Sequence, residues 1–296
     1  MIYTLTFNPA IDYVMYFDGV DFGKTSRAKD EYTVIGGKGI NVSVVLNRLG
    51  AKTVAMGFVA GFTGDAIKSE LEKDGIKTDF VQLEKGISRI NVKVKSESET
   101  ELNGKGPEIP ESAVDELYKK LDGIKEGDTL VLAGSVPESL PRDIYSRIME
   151  RLCHKNIKVV VDAEGELLLN CLKYKPFLIK PNHHELGAIF GKELKSQDEI
   201  VNHAKKLQEM GAENVLVSMG GEGAVLVDQN GNVHFCPAFS GELKNSVGAG
   251  DSMVAGFLKG IETNDFGYAL KLGTASGSAT AFCVGLATKE DIMKLI

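Results

Sequence analysis

The chain has 296 residues, of which 43% are hydrophobic and 25% charged, a balance typical of a globular protein with a substantial core. Its formal net charge is −7, which argues against nucleic-acid binding because that function needs a basic surface. An anionic ligand would need a local cluster of basic side chains. No linker, repeat or low-complexity tract divides the sequence, so we expect one domain over residues 1–296.

The first residues and the cysteines indicate a cytoplasmic protein. A β-forming segment follows Met1 directly, with no basic region before an apolar run, so we expect no signal peptide. No apolar run is long enough to span a bilayer, and we expect no membrane association. The cysteines form no C-x-x-C pair and predict reduced core thiols rather than zinc ligands: Cys153, Cys171, Cys236 and Cys283.

The N-terminal part contains two kinds of predicted strand. Residues 2–7 and 53–57 are apolar and predict strands of the main domain. Helical patterns follow them at 40–49 and 66–74, respectively. Three other β-forming segments are half polar and interrupt the strand–helix rhythm: residues 13–17, 31–35 and 88–95. We expect these to form a small β-sheet lid over one edge of the main domain, drawn from about 11–20, 31–36 and 87–104.

From residue 112 onward, strands and helices alternate. We predict strands at 129–132, 158–162, 177–179 and 214–218, a hairpin over 223–235, and helices at 112–121, 143–154, 166–172, 196–210, 251–259 and 266–283. Continuous apolar strands such as 130–132 and 159–161 are typical of a parallel sheet covered by helices on both faces. The prediction is therefore an α/β fold with three layers, α/β/α, around a mostly parallel central sheet.

Polar and glycine-rich segments follow many of the predicted strands. Ligands in open α/β sheets bind at the carboxyl ends of the strands. We therefore expect convergence there of Asp12, residues 36–41, Ser135, Asp162, Asn182 and Ser218.

The segment 245–252, Asn-Ser-Val-Gly-Ala-Gly-Asp-Ser, predicts a helix N-terminus next to a reactive centre. Backbone amides at Ala249 and Gly250 would be free to bind an anion. Asp251 would lie in the first helical turn, where it could accept a proton from a hydroxyl that attacks a phosphate. The alternative is an acidic residue that only stabilises the helix N-terminus.

Two further segments carry polar groups suited to a ligand. Residues 36–41, Gly-Gly-Lys-Gly-Ile-Asn, let the backbone approach closely, and Asn41 can donate to and accept from a sugar hydroxyl. Asn182 and Glu185 could hold Mg²⁺ through water, although Asn182 could equally be a helix cap. His183 and His184 do not complete an H-E-x-x-H motif, so we expect structural roles for them. Neither a P-loop at 23–25 nor a dinucleotide fingerprint at 248–253 is complete.

These segments, in this order, make the chain resemble the carbohydrate kinase family that includes ribokinase and the minor phosphofructokinases. The two most specific motifs are residues 36–43 and 245–252, and the resemblance extends from Leu5 to about Gly285. Within the family the chain most resembles kinases of fructose 1-phosphate and of tagatose 6-phosphate. The residues that support this narrower likeness are 6–12, 88–91 and 100–107.

The resemblance implies a ribokinase-like fold, ATP as co-substrate and Mg²⁺. It implies that Asp251 is the catalytic base and that Gly248, Ala249 and Gly250 form the anion hole. Sugar and sugar-phosphate contacts would come from Asp12, Arg27, Gly37, Lys38, Gly39, Asn41, Arg89 and Ser135, with Lys24 a weaker candidate. Nucleotide contacts would come from Lys180, Asn182, Ser218, Gly220, Gly223, Ala275, Ser278 and Ala279.

The expected reaction transfers a phosphoryl group to the free primary hydroxyl of a ketohexose phosphate, either fructose 1-phosphate or tagatose 6-phosphate. A non-catalytic sensor of sugar phosphate or nucleotide is the alternative from another class, although a sensor needs no base such as Asp251. Arg89 would contact the substrate phosphate, whereas Lys93 and Lys95 of the same strand are expected to be solvated. A homodimer through the lid is also expected, because its edge strands could pair.

Overall fold

The computed structural model describes residues 1–21 and 23–296. Its strands are β1 (Ile2–Thr6), β2 (Ala10–Tyr16), β3 (Asp30–Gly36), β4 (Thr53–Ala60), β5 (Lys77–Leu83), β6 (Arg89–Lys95), β7 (Glu99–Asn103), β8 (Thr129–Ala133), β9 (Lys158–Asp162), β10 (Leu178–Ile179), β11 (Asn214–Ser218), β12 (Ala224–Val227) and β13 (Val233–Cys236). Its helices are α1 (Lys38–Arg48), α2 (Gly61–Lys73), α3 (Glu111–Leu121), α4 (Ile144–Leu152), α5 (Gly165–Leu172), α6 (His183–Ile189), α7 (Gln197–Glu209), α8 (Ala249–Gly260), α9 (Phe266–Ala281) and α10 (Lys289–Met293).

The strands form two separate sheets. The central sheet has nine strands in the order β13-β12-β11-β10-β9-β8-β1-β4-β5, parallel except for the pairs β11–β12 and β12–β13. The second sheet, here called the small sheet, has the order β3-β2-β6-β7. Both predictions, a mostly parallel central sheet and a separate small one, are confirmed.

Alternate side chains of the central strands enter two apolar layers. In β8, Leu130 and Leu132 pack toward α3, α4, α5 and α7, whereas Val131 packs toward α1, α8 and α9. This explains why β8 is continuously apolar over residues 130–133: both of its faces are buried by helices. The three-layer α/β/α arrangement follows directly from that pattern.

The sequence analysis did not predict strands β5 and β7 or helix α10. All five residues of β7 are exposed, and its strand conformation depends on antiparallel pairing with β6 rather than on its own polar sequence. Helix α10 has five residues, which is too short for a hydrophobic period, and begins at a capping box of Thr288 and Asp291.

Two other observations bear on the expected location. In the described part of the chain, no helix is long and apolar enough to cross a membrane. The four cysteines are free thiols, but only Cys171 and Cys236 are buried. The prediction of four core thiols is wrong for Cys153, which is exposed, and for Cys283, which is half-buried.

Strand order places a binding crevice at the carboxyl end of β1. The chain runs from β1 outward to β4 and β5, then returns to the other side of β1 with β8. Such a reversal separates the loops that follow neighbouring strands and opens a crevice between them. The ends of β1 and β8 are at this position, and the small sheet continues from the same end of β1 through β2.

A buried hydroxyl pair holds α8 against α9. The Oγ atoms of Ser252 and Thr280 lie 2.8 Å apart, and the backbone amide of Ala287 donates to Thr280 Oγ1 at 3.1 Å. Thr280 therefore links α8, α9 and the segment that follows α9. Both hydroxyl-bearing residues are fully buried, so no solvent can replace these bonds.

We predict that Thr280→Val destabilises the protein by about 2 kcal/mol, because it leaves a buried amide and a buried hydroxyl without partners. Thr274→Val on the same helix is the matched control. Thr274 is equally buried, but its hydroxyl donates to the carbonyl of Leu270 and accepts from no backbone amide of the described residues, so its loss should cost about 1 kcal/mol or less. Urea unfolding of the two variants measures the difference, and equal costs would contradict a linking role for Thr280.

Candidate active site

Two adjoining cavities lie at the carboxyl ends of the central strands. Their volumes are about 710 and 610 Å³, and they share Gly37, Lys38 and Arg89. The larger cavity lies between the small sheet and the start of α8, and the smaller one follows the ends of β1 and β8. Most of the predicted residues converge here, and only Gly39 and Ile40 of them line neither cavity. The lining includes Asp12, Gly36, Gly37, Lys38, Asn41, Ser135, Asp162, Asn182 and Ser218.

The start of α8 is shaped by the glycine segment before it. Gly248 is the N-cap and has a φ of 81°, which favours glycine, and a Cβ there would lie 2.6 Å from Leu286 Cδ2. The amide of Ala249 donates to the carbonyl of Ser246 at 3.2 Å, whereas that of Gly250 has no acceptor among the described residues. The amide of Gly250 is therefore a free donor at this helix start.

Asp251 is a buried carboxylate in the first turn of α8. Its Oδ2 accepts a hydrogen bond from Asn41 Nδ2 at 2.7 Å. Burial, followed by repulsion from Asp162, raises the pKa of Asp251 to about 6, against the opposing effects of Asn41, Lys38 and Lys180. A carboxyl group with this pKa is mostly ionised at neutral pH and is a stronger base than an ordinary aspartate.

Asp162 forms the centre of a buried charge cluster. Its side chain is 3% exposed, and its Oδ1 lies 3.4 Å from Lys180 Nζ and 3.8 Å from Lys38 Nζ. Its Oδ2 is buried and has no hydrogen-bond partner in the described structure. With Asp251, the cluster contains two carboxylates and two ammonium groups, so its formal charges balance.

Lys180 and Lys38 differ in their exposure to the cavity. The side chain of Lys180 is 7% exposed, and a Cβ at Gly250 would lie 3.1 Å from its Nζ, so its ammonium group lies against the start of α8. Lys38 is more exposed. Burial disfavours its charged form, but Asp162 and then Asp251 outweigh that effect and raise the pKa of Lys38. An anion at the α8 N-terminus would meet both ammonium groups.

The loop before α1 contributes both packing and ligand contacts. Gly37 is the N-cap of α1 and lines both cavities. Gly39 is buried against Thr6 of β1 and lines neither cavity. Asn41 lies one turn into the helix, where its bond to Asp251 joins α1 to α8.

The other end of α1 also contacts the wall of the cavity. The guanidinium group of Arg48 donates to the carbonyl oxygens of Leu286 and Ala287, the latter at 3.1 Å. Leu286 lines the larger cavity and lies beside Gly248. Residues 284–286, which the sequence analysis did not select, therefore form part of the cavity wall.

The small sheet supplies Asp12 and two residues that the sequence analysis did not assign. Asn91 Nδ2 donates to Asp12 Oδ1 at 2.8 Å, and Lys93 Nζ lies 3.5 Å from Asp12 Oδ2. The expectation that Lys93 is solvated is wrong, because its side chain is only 12% exposed. Lys93 is half-buried beside β7, which supplies a second partner, Glu101, 3.3 Å away.

Basic side chains collect where the two cavities meet. Arg89 Nε donates to the carbonyl of Asn8 at 2.9 Å, and burial lowers the pKa of Arg89 despite the nearby Asp12. Ser135 and Arg142 line the smaller cavity, and Arg142 was not selected from the sequence. Arg27 is exposed on the loop between β2 and β3 and lines neither cavity.

The predicted nucleotide contacts are only partly gathered in the cavity. Lys180, Asn182, Ser218 and Gly220 line it, whereas Gly223 packs at the start of the β12–β13 hairpin. Three residues of α9 do not line the cavity: Ala275 and Ala279, which are buried, and Ser278, which is half-buried. Their contacts with adenine remain predictions. Lys24, the weaker candidate, is exposed and pairs with Asp21.

Asn182 and Glu185 hold each other at the start of α6. Asn182 Oδ1 accepts from the Glu185 amide, and Glu185 Oε2 accepts from the Asn182 amide, both at 2.8 Å. The helix-cap interpretation of Asn182 is therefore observed, and one carboxylate oxygen of Glu185 is left for other partners. His183 and His184 stack on each other and also line the larger cavity, which the sequence analysis did not anticipate.

A buried base lies at a helix N-terminus, beside basic side chains and under a small sheet that covers the crevice. On an α/β fold, this combination is typical of an enzyme that transfers phosphoryl groups. Residues 5–293 match the pfkB family of carbohydrate kinases. The chain belongs to this family.

Similar proteins agree with this assignment. The chain is 47% identical to a 1-phosphofructokinase of Bacillus subtilis, covering 100% of this chain and 97% of the relative. It is 40% identical to a D-tagatose-1-phosphate kinase of Bacillus licheniformis, covering 100% and 96%. The structure of Escherichia coli phosphofructokinase-2 in complex with substrates and products is similar with a TM-score of 0.93, at 28% identity and 99% and 97% coverage.

We predict that Asp251→Asn stabilises the protein at neutral pH. The pKa of Asp251 is about 6 in the folded state, above its ordinary value of 3.8, so folding favours the protonated form. Wild type therefore loses stability as the pH rises through this interval, and the neutral asparagine does not. The gain in the free energy of unfolding of Asp251→Asn over wild type should rise from near zero at about pH 4 to on the order of 2–3 kcal/mol above about pH 7.

Asp228→Asn is the control with the opposite sign. Burial opposes ionisation of Asp228, but hydrogen bonds from His234 and Asn232 outweigh it and lower the pKa of this carboxyl group. Asp228→Asn should therefore be less stable than wild type above about pH 4, where the ionised Asp228 stabilises the folded state. Denaturant unfolding at several pH values tests both variants, and a pH-independent effect of Asp251→Asn would contradict the raised pKa.

Proposed function

We propose that this chain is an ATP-dependent kinase that phosphorylates the free primary hydroxyl of a ketohexose phosphate, converting fructose 1-phosphate to fructose 1,6-bisphosphate. The observation that carries this proposal is the position of Asp251. A buried base with a raised pKa lies at a helix N-terminus, while basic side chains line the far part of the same crevice. A substrate with a phosphate at one end and a hydroxyl at the other fits this arrangement.

The basic part would bind the phosphate that the sugar already carries. Arg89, Lys38 and Arg142 supply positive charge there, and Ser135 supplies a hydroxyl. Asp12 and Asn41 would then contact the sugar hydroxyls between this end and Asp251. Because the protein is acidic overall, this local cluster is needed to attract a sugar phosphate.

Asp251 would accept the proton of the attacking hydroxyl, and the amide of Gly250 with the ammonium group of Lys180 would stabilise charge on the transferred phosphoryl group. Phosphoryl transfer depends mainly on such positioning and charge stabilisation. Both groups are suitably placed for this, since the Gly250 amide is free and Lys180 lies against it. The buried carboxylate of Asp162 would keep the lysines in place through Oδ1 and make Asp251 more basic.

Mg²⁺ would enter with the nucleotide and neutralise part of its phosphate charge. In the described residues no group of three or more His, Cys, Asp or Glu side chains is arranged to hold a metal ion. Asn182 and Glu185 are largely occupied by the helix cap, and the remaining Glu185 oxygen fits a contact through water. We therefore propose a water-mediated rather than a direct metal site.

A second candidate substrate is tagatose 1-phosphate. The alternative from the sequence was tagatose 6-phosphate, but the B. licheniformis relative is named for the 1-phosphate. Fructose 1-phosphate and tagatose 1-phosphate differ only in configuration at C4, and both offer the C6 hydroxyl to Asp251. The same phosphate site and base could therefore serve either sugar.

We further propose that the whole chain is one kinase domain, in which the small sheet acts as a lid that excludes water from the reaction. Its outer strands, β3 and β7, carry exposed apolar side chains at Val34 and Leu102 and could pair or pack in a homodimer. A tetrameric form is known for E. coli phosphofructokinase-2. Dependence on ATP is consistent with action in the cytoplasm.

Steady-state assays of ADP release over a panel of phosphorylated sugars test the proposal. We expect the highest kcat/KM for fructose 1-phosphate, then tagatose 1-phosphate, with tagatose 6-phosphate and unphosphorylated fructose lower. Fructose lacks the anion that the basic cluster would bind. A clear preference for either tagatose phosphate would change the substrate assignment, and no turnover with any sugar would contradict the kinase.

We predict that Asp251→Asn lowers kcat by about 10²–10⁴-fold, the range typical of losing a general base. The variant should remain folded and should bind ATP as wild type does, because asparagine still offers an oxygen to Asn41. Single-turnover phosphoryl transfer and nucleotide titration measure the two effects separately. Turnover within a few-fold of wild type would exclude Asp251 as the base.

A further inference from the structure

Three neighbours in the small sheet restrict the carboxylate of Asp12. Its Oδ1 accepts from Asn91 Nδ2 at 2.8 Å, and its Oδ2 lies 3.5 Å from Lys93 Nζ. On another side, Gly36 leaves space for it, because a Cβ at this position would lie only 3.0 Å from Oδ2. Since Asp12 also lines the larger cavity, its remaining lone pairs are available to a ligand in one fixed orientation.

Asn91, which is buried, and Lys93, which is half-buried, are unusual residues for the inside of a strand. Asparagine is disfavoured in strands, and a buried ammonium group is costly without partners. Asn91 is 7% exposed, and its Oδ1 accepts from the amide of Gly104 at 3.2 Å. Burial acts against the charge on Lys93, but Asp12 and Glu101 outweigh it and raise the pKa of Lys93.

Each of the two side chains therefore has one partner in Asp12 and a second partner in or next to β7. The backbone ladder already pairs β2 with β6 over the whole length of both strands, and β7 with residues 91–95 of β6. The side-chain contacts therefore come in addition to the ladder, and they restrict Asp12 in the larger cavity, which Asn91 and Lys93 also line.

We propose that Asn91 and Lys93 are positioning residues that fix Asp12 and thereby set which arrangement of sugar hydroxyls the enzyme accepts. This inference rests on the proposed function. A fixed acceptor rejects an epimer, because a misplaced hydroxyl leaves buried polar groups unpaired. An Asp12 that is free to rotate would follow the hydroxyl, so loosening it should reduce both affinity and discrimination between epimers.

Asn91→Asp is the most direct test. It keeps the shape of the side chain and an acceptor for the Gly104 amide, but it replaces the donor to Asp12 with a repelling carboxylate. We expect KM for the sugar phosphate to rise about 10- to 100-fold, the equivalent of one charged hydrogen bond. KM for ATP should stay within about twofold, and the ratio of kcat/KM for fructose 1-phosphate over tagatose 1-phosphate should fall at least about fivefold.

A double-mutant cycle separates positioning from a general effect on the sheet. In the Asp12→Asn background, an asparagine at position 12 can donate to an aspartate at position 91 and remake the bond. Asn91→Asp should then weaken sugar-phosphate binding by less than about threefold, measured by calorimetry. An equal loss in both backgrounds would overturn the proposal.

Lys93 is tested through its two partners. Lys93→Met removes the contact with Asp12 as well as that with Glu101, whereas Glu101→Gln weakens only the second. We expect Lys93→Met to raise KM for the sugar phosphate about 10-fold and Glu101→Gln to change it by less than about twofold. Equal effects would assign Lys93 to holding β7 and would overturn its positioning role.

The sugar used in these measurements is whichever one the ADP-release panel selects. If wild type prefers a sugar other than fructose 1-phosphate, the substrate assignment fails, but the cycle between Asp12 and Asn91 still decides the inference. If fructose 1-phosphate is preferred and the cycle shows no coupling, the inference fails while the proposed function stands.

Discussion

The site depends on one buried electrostatic interaction, the contact of Asp162 with Lys38 and Lys180. Two ammonium groups lie next to a nearly inaccessible carboxylate, and Asp251 adds the second carboxylate that balances the formal charge of this cluster. Without Asp162, Lys38 and Lys180 would lower the pKa of Asp251. Without the lysines, the two carboxylates could not both ionise in so dry a site. The basicity of Asp251 is thus a balance of opposing charges, and burial decides its direction.

The fold brings this cluster together through strand order. Asp162 ends β9, Lys180 follows β10, Lys38 begins α1 after the small sheet, and Asp251 begins α8. Parallel strands direct their carboxyl ends to one edge, so residues far apart in the chain meet there. The small sheet lies over the same edge, so sugar-facing and nucleotide-facing groups border one crevice.

Much of the architecture could be predicted because its physical cause is local. Apolar strands, helix periods and the glycine segment before Asp251 are visible in sequence, and so are the residues at strand ends. The missed features depend on partners distant in sequence. β7 is entirely exposed and exists through its pairing with β6, and Lys93 is half-buried through its contacts with β7 and Asp12. Asp162 closes an apolar strand, but its importance depends on lysines 124 and 18 positions away, which only the fold brings near it.

Helix α1 touches the crevice at both ends. Asn41, near its start, holds Asp251, and Arg48, at its last turn, holds the carbonyls of Leu286 and Ala287. A helix is stiff along its axis, so these two attachments move together. The distance between the Asp251 carboxylate and the cavity wall formed by residues 284–286 is therefore set by the length of α1. A shift of α1 along its axis would move the contact with Asp251 and the contact with residues 286–287 together. The dimensions of the crevice therefore depend on the position of α1 relative to the central sheet.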